Sequence, residues 1–434
     1  MVGNETYKTV RDAALNVVRK TPLREAWWKV KGVPPFAQVR HFLGRIHLRK
    51  INEEWYPDIY HRHSSEPVDP FKVVIIENAV SGLSNSFRLI YHDLKKDGRF
   101  TVHVHHLGKN LVRREQHDIN GARLANDVGN AKYVFLSEAC TVLNVLPIRP
   151  ETTVVQLWHG CGAFKKFGRS TGNLLFGPST EKFDRHPLYR HYNYVTVSSP
   201  EVVWAYEEAM GLAGQGIIIP IGVSRTDVFF DGKYLAKASE RVYAKVPQAR
   251  GKKVVLYAPT FRGKVALAET PDYKVFDLKR LREVLGEDTI ILIKHHPVVK
   301  EMRIPKIPKK LEGSFAVDVS DSLTIEDLMI TADVCITDYS SLIYEYSLLD
   351  KPLVFYAYDM DDYCDWRGFY YDYDEMTPGP VCRTMDELAH VMSLPDFGYD
   401  AEEMKAFREK FMSSCDGHAT ERIEKLVFGE SLRG

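Results

Sequence analysis

From Phe71 onward the chain alternates between two kinds of segment. Short runs rich in β-branched residues, such as FKVVIIENAVSG, RFTVHVHHLG, AKYVFLSEA, TTVVQLWHGCG and YNYVTVSSPE, end in small or polar residues. Between them lie stretches with helical spacing of apolar positions, SNSFRLIYHDLKKDG after the first run being one. A second series begins after Tyr234 with KKVVLYAPTFRG, TIILIKHHPVV, SFAVDVS, ADVCITDYSS and KPLVFYAYD. Continuous apolar strands separated by helices predict parallel sheets covered on both faces and joined by right-handed crossovers. Two such series of similar size predict two doubly wound α/β domains facing a cleft. No period of 20 to 50 residues joins them, which excludes a solenoid.

In open parallel sheets, ligands bind beyond the carboxyl ends of the strands. The polar clusters fall there: Trp158-His159-Gly160, Ser198-Ser199, Thr260-Phe261-Arg262, His295-His296-Pro297 and Asp338-Tyr339-Ser340-Ser341. A histidine released from a buried strand into a glycine-containing turn can present a neutral imidazole to a cleft near pH 7. Ser340 and Ser341 stand where a helix begins, suited either to an anion at its N-terminus or to plain capping. Arg262 offers a fork for phosphate oxygens or for a salt bridge. Gly222, Arg225 and Asp227 occupy the connection leaving the first domain. Arg367 and Gly368 lie in an aromatic-rich loop after the last core strand. The paired His295-His296 lacks nearby carboxylates or cysteines at ligand spacing, so no metal site is expected.

Composition narrows the function. Apolar residues make up 44% and charged residues 27%, the balance of an ordinary globular protein. Lysine plus arginine equals aspartate plus glutamate, 58 against 58, so nothing in the net charge suits the whole molecule to coat nucleic acid. The first fifty residues differ: eleven basic residues against three acidic ones, interleaved with Trp27, Trp28, Phe36, Phe42, Leu43, Ile46 and Leu48. Such a segment suits an anionic membrane surface. It equally suits a helical arm packed on the body. No apolar run reaches the length of a spanning helix, and the N-terminus lacks the apolar centre of a signal peptide, so a peripheral enzyme on the cytoplasmic side of the membrane is expected. The six cysteines are scattered and predict reduced thiols.

The ordered series QLWHGCGAFKKF, VSSP, IGVSRTD, YAPTFRG, KHHP, TDYSSLIYEY, KPLVFY and RGFYYD, spanning about Phe71 to Cys415, resembles the CDP-glycerol glycerophosphotransferase family of teichoic acid and capsule polymerases. The resemblance implies a GT-B-like architecture: a basic amphipathic extension over residues 1–68, an acceptor domain over 69–233, and a nucleotide-donor domain over 234–434 whose last helix packs back on the first. It further implies His159 as general base and His296 at the donor diphosphate. Thr260, Arg262, Asp338, Ser340, Ser341, Glu345 and Arg367 become donor contacts, and Gly160, Lys165, Lys166 and Arg225 face the acceptor. Gly-Cys-Gly-Ala stands after the histidine where many members carry Gly-Thr-Pro. The implied donor is CDP-glycerol, or CDP-ribitol, and the acceptor a lipid-linked or polyol-phosphate hydroxyl; an anionic membrane surface and a homo-oligomer are further expected partners. The sequence calls for no cofactor and leaves a divalent metal open. A nucleotide-sugar glycosyltransferase or epimerase on the same fold is the rival enzyme, and a membrane-surface scaffold with a decayed site the non-enzymatic rival.

Overall fold

A computed structural model describes residues 36–432 apart from 79–81, 110, 173, 175–178, 186, 264–267 and 300–302; side chains at 36–41, 185 and 364–367 also lie outside the description. The basic arm expected before residue 36, with Trp27 and Trp28, and the side chain of Arg367 are therefore outside the described residues.

The apolar runs form two six-stranded parallel sheets. The first contains β1 (Asp69–Glu77), β2 (Thr101–His106), β3 (Ala131–Leu136), β4 (Thr153–Gln156), β5 (Tyr194–Thr196) and β6 (Ile218–Ile219), in the order β2-β1-β3-β4-β5-β6. The second contains β7 (Lys253–Tyr257), β8 (Thr289–Ile293), β9 (Ala316–Asp318), β10 (Val334–Thr337), β11 (Leu353–Tyr356) and β12 (Val381–Cys382), in the order β12-β11-β10-β7-β8-β9. Strand order reverses between β1 and β3 in one sheet and between β7 and β10 in the other. At such switch points the flanking loops part, and a crevice opens at the strand ends.

Residue alternation along each strand assigns the faces. Val73 and Ile75 of β1 point into one core with Phe87 and Ile90, whereas Val74 and Ile76 point into another with Val134 and Leu136. That second core continues without a break into the other lobe, through Val254, Leu256, Ile290, Leu292 and Phe355. Ile423, in the last helix Ala419–Phe428, packs in the outer core of the first sheet with Val73 and Phe135, so the chain crosses back to the N-terminal lobe before it ends. Asp227 anchors this return by accepting hydrogen bonds from the amides of Ala419 (3.1 Å) and Thr420 (2.8 Å). The five cysteines whose side chains are described are buried and unbridged.

Candidate functional site

The stretch after β4 is built to hold a histidine in a constrained turn. Trp158 has φ +58°, a left-handed conformation that costs a bulky residue free energy and persists only when its surroundings fix it. They do so from three sides. The Trp158 amide donates to Gln156 Oε1 (3.0 Å), its carbonyl accepts from Ser86 Oγ (3.1 Å), and its indole packs on Phe167 (centroids 4.9 Å apart). His159 follows with its ring open to solvent. Its Nδ1 lies 2.9 Å from the carbonyl of Ser137 at the exit of β3. A carbonyl can only accept, so Nδ1 carries the proton, and Nε2 is left as the basic nitrogen. Loss of bulk-water solvation beside the surrounding protein lowers the His159 pKa; the Ser137 carbonyl and Glu138 oppose this, and Arg225 adds to it. The imidazole is thus neutral at pH 7, the form a proton acceptor needs.

This turn meets the second lobe directly. A Cβ on Gly160 would stand 3.7 Å from Ser341 Oγ. At Gly162, where φ is +62°, a Cβ would fall 2.2 Å from Tyr344 Cζ. Main-chain bonds continue the seam: Lys166 donates to Gly368 (3.0 Å) and Tyr370 to Phe164 (3.1 Å). Across it, Ser341 is exposed at the start of the helix Leu342–Ser347 and makes no capping bond with its side chain. Ser340 is half-buried, its Oγ 3.4 Å from the amide of Leu342. His296 is also exposed, and its Nδ1 accepts from the amide of Val298 (3.2 Å). In the neutral ring the proton therefore sits on Nε2. The two histidines have opposite tautomers, one with a basic Nε2 and the other with an Nε2–H donor.

Other residues singled out in the sequence are bound to groups of the protein itself. Arg262 is held by groups of its own lobe. Its Nε and Nη2 bind both oxygens of Asp359 (2.5 and 2.9 Å), Nη2 also meets Asp338 Oδ2 (3.0 Å), and Nη1 donates to the carbonyl and hydroxyl of Thr260 (2.8 and 2.9 Å). All five N–H groups are spent, and two carboxylates neutralise the charge. Thr260 and Asp338 are buried in the same network, with Asp338 Oδ1 accepting from the amides of Thr260 (2.9 Å) and Tyr339 (2.6 Å). This trio ties the loops after β7 and β10 together.

Glu345 is likewise buried, 3.5 Å from Arg225 Nε, and burial raises its pKa. Arg225 donates to the carbonyl of His159 and to Glu326 Oε1 (2.8 Å). Lys165 is half-buried with its ammonium 6.0 Å from the ring centre of Tyr363, and Lys166 is half-buried at the seam. The partners that sequence reasoning missed, Ser137, Glu326 and Asp359, lie 22, 101 and 97 residues from the groups they bind, and only folding brings them there.

Beside the histidine turn the lobes leave a cleft of about 760 Å³, lined by Ser84 and Arg88 from the first lobe, Arg241 and Lys245 from the connecting helix, and Ser322 and Thr324 from the second. Glu326, the partner of Arg225, belongs to the same wall. Among the described residues, no three His, Cys, Asp or Glu side chains gather as a metal would require. The arrangement sets the turn that carries the proton acceptor His159 against the Ser341 hydroxyl of the second lobe, with Arg88, Arg241 and Lys245 lining an interlobe cleft.

Residues 59–429 match the family described as CDP-glycerol:poly(glycerophosphate) glycerophosphotransferase. The teichoic acid ribitol-phosphate primase of Bacillus spizizenii is 34% identical over 364 residues, 83% of this chain and 92% of that protein. The teichoic acid glycerol-phosphate primase of Bacillus subtilis is 29% identical over 309 residues, 70% of this chain and 74% of that protein. Among solved structures, the wall teichoic acid polymerase TagF superposes with a TM-score of 0.70 at 24% identity, covering 91% of this chain and 97% of that one, a likeness of fold.

Proposed function

Because the chain belongs to the CDP-glycerol:poly(glycerophosphate) glycerophosphotransferase family, we propose that it transfers glycerol phosphate from CDP-glycerol to a hydroxyl of a lipid-linked or polymeric acceptor in teichoic acid or related cell-surface polymer synthesis, releasing CMP. The observation that carries the mechanism is the His159 turn, with Nδ1 bound to the Ser137 carbonyl so that Nε2 is the basic nitrogen, and with its main chain against Ser341 of the other lobe. The acceptor oxygen attacks the β-phosphorus as its proton passes to His159 Nε2. The bond from that phosphorus to the bridging oxygen breaks, and its electron pair leaves with CMP. Phosphoryl transfer draws mainly on positioning and charge stabilisation. His296 Nε2–H and the Ser340 and Ser341 hydroxyls supply donors to the phosphates, and the cations Arg88 and Lys245 at the cleft favour anionic substrates.

A second reading has a specific support, since the ribitol-phosphate primase is 34% identical over its matched stretch against 29% for the glycerol-phosphate primase over its own. CDP-ribitol is therefore the alternative donor. Incubation with each CDP-alditol and a lipid-linked acceptor, followed by product mass, distinguishes the two and counts the units added. With the true donor, His159→Ala is expected to lower CMP release by about 10²- to 10⁴-fold. Near-full CMP release by this variant would remove His159 from the reaction. Release of a nucleoside diphosphate from a nucleotide sugar would point to glycosyl transfer instead.

We also assign a membrane-facing side. No helix among the described residues is long and apolar enough to cross a membrane. The helix Phe36–Lys50 exposes Phe42, Leu43, Ile46 and Leu48 beside Arg45, Arg49 and Lys50. It is tied to the first lobe by His47–Asp118 (2.8 Å) and Arg114–Gly44 (3.2 Å), next to exposed Leu111, Val112 and Ile119. An apolar surface edged with cations fits an anionic bilayer interface, where a lipid-linked acceptor would reside.

A further inference from the structure

Arg225 holds the main chain of His159 and the second lobe at the same time. It comes from the 3-10 helix Ser224–Phe230 of the first lobe, and its side chain is only 15% exposed. One arm of its guanidinium donates to the main-chain carbonyl of His159. The other donates to Glu326 Oε1 at 2.8 Å, and Nε stands 3.5 Å from Glu345 Oε1. Glu326 opens the helix Ile325–Thr331, and Glu345 lies in the helix that follows Ser341. Glu345 Oε2 is buried without a hydrogen-bond partner among the described residues, so Arg225 is the cation that compensates this carboxylate.

We propose that Arg225 is a positioning residue: by gripping the His159 carbonyl and the carboxylates Glu326 and Glu345 together, it makes the placement of the proton acceptor depend on the apposition of the two lobes. A rigid fork is what this task needs. A lysine in its place supplies the charge but cannot span a carbonyl and two carboxylates in one plane. The turn it holds is strained at Trp158 and would relax if released. The same cation faces the imidazole it positions. The other groups acting on that ring are Glu138 and the Ser137 carbonyl, both from the exit of β3. Loss of Arg225 removes the one cation among them and moves the His159 pKa upward.

The inference rests on His159 as proton acceptor, and its test separates the two claims. CMP release by the full chain is measured for Arg225→Met, Arg225→Lys and Arg225→Met/Glu345→Gln, together with donor affinity, pH profile and melting point. Arg225→Met is expected to lower kcat about 10- to 100-fold with donor affinity unchanged, as a displaced catalytic group does, and to move the acid limb of kcat/KM to higher pH. Arg225→Lys should keep the acid limb while losing part of kcat. The double variant leaves no uncompensated carboxylate at residue 345; it should regain melting point without regaining kcat. Recovery of kcat along with melting point would reduce Arg225 to a counter-ion and overturn the proposal. So would an Arg225→Met variant of wild-type rate and pH profile, or one whose defect lay only in acceptor KM. Full activity in His159→Ala would instead overturn the reading on which it rests.

Discussion

The contact between Gly162 and Tyr344 makes a one-methyl test of the lobe arrangement. Gly162 sits three residues after His159 with φ +62°, and Ala at that angle costs about 1–2 kcal/mol. The added carbon would stand 2.2 Å from Tyr344 Cζ and 2.3 Å from both Cε atoms. Neither side can yield cheaply. Tyr344 is fully buried, stacked on Phe407 at 5.4 Å and set edge-on to Phe411 at 5.6 Å. The Gly162 amide donates to Ser198 Oγ (3.0 Å) and its carbonyl accepts from Tyr206 Oη (3.1 Å), which pins the peptide on both sides. Overpacking of this kind costs about 1–3 kcal/mol more. The sum for Gly162→Ala, about 2–5 kcal/mol, corresponds to a fall of melting point on the order of 5–20 °C if each lobe melts as a unit of ~200 residues. Differential scanning calorimetry measures the shift. CMP release at a temperature where the variant is folded should fall about 10- to 100-fold, because the displaced turn carries His159. Gly162→Ala/Tyr344→Leu should recover part of the melting point by freeing space. An unchanged melting point and rate in Gly162→Ala would mean that the turn and the Tyr344 helix are not in contact, and the two-lobed site would fall with that contact.

Three further outcomes are expected. His159 must be neutral to accept a proton, and its pKa lies below the ordinary value of about 6.5; kcat/KM should therefore stay flat down through pH ~6.5 and drop only below it, whereas an acid limb well above 7 would contradict the burial argument. Arg262→Ala leaves Asp338 and Asp359 without their cation and should cost about 3–5 kcal/mol in a thermal melt, with Arg262→Lys restoring little because a single ammonium cannot satisfy both carboxylates and Thr260; a stable Arg262→Ala protein with weakened donor affinity alone would return Arg262 to the phosphate. Phe42→Ser/Leu43→Ser/Ile46→Ser should lower sedimentation with vesicles containing anionic lipid by at least about tenfold, since each half-exposed side chain has on the order of 1 kcal/mol to gain at the interface, and equal sedimentation would remove this helix from the membrane.

Local chemistry in the chain was enough to read the parallel strands, the polar clusters at their ends and the histidine in its small-residue turn. Each depends on neighbours in sequence: β-branched runs specify buried strands, and the residues just past them must lie at the sheet's carboxyl edge. The family motifs carry the same kind of information, as short ordered segments. The partners of the charged groups were another matter. YAPTFRG looks the same whether Arg262 points at a phosphate or at a carboxylate 97 residues away, and IGVSRTD does not reveal that Arg225 will meet Glu326 from the opposite lobe. Coulomb attraction and hydrogen bonding act on distance in space, so folding chose which cations to spend inside the protein, which histidine nitrogen to leave basic, and which serine to hold open at the seam.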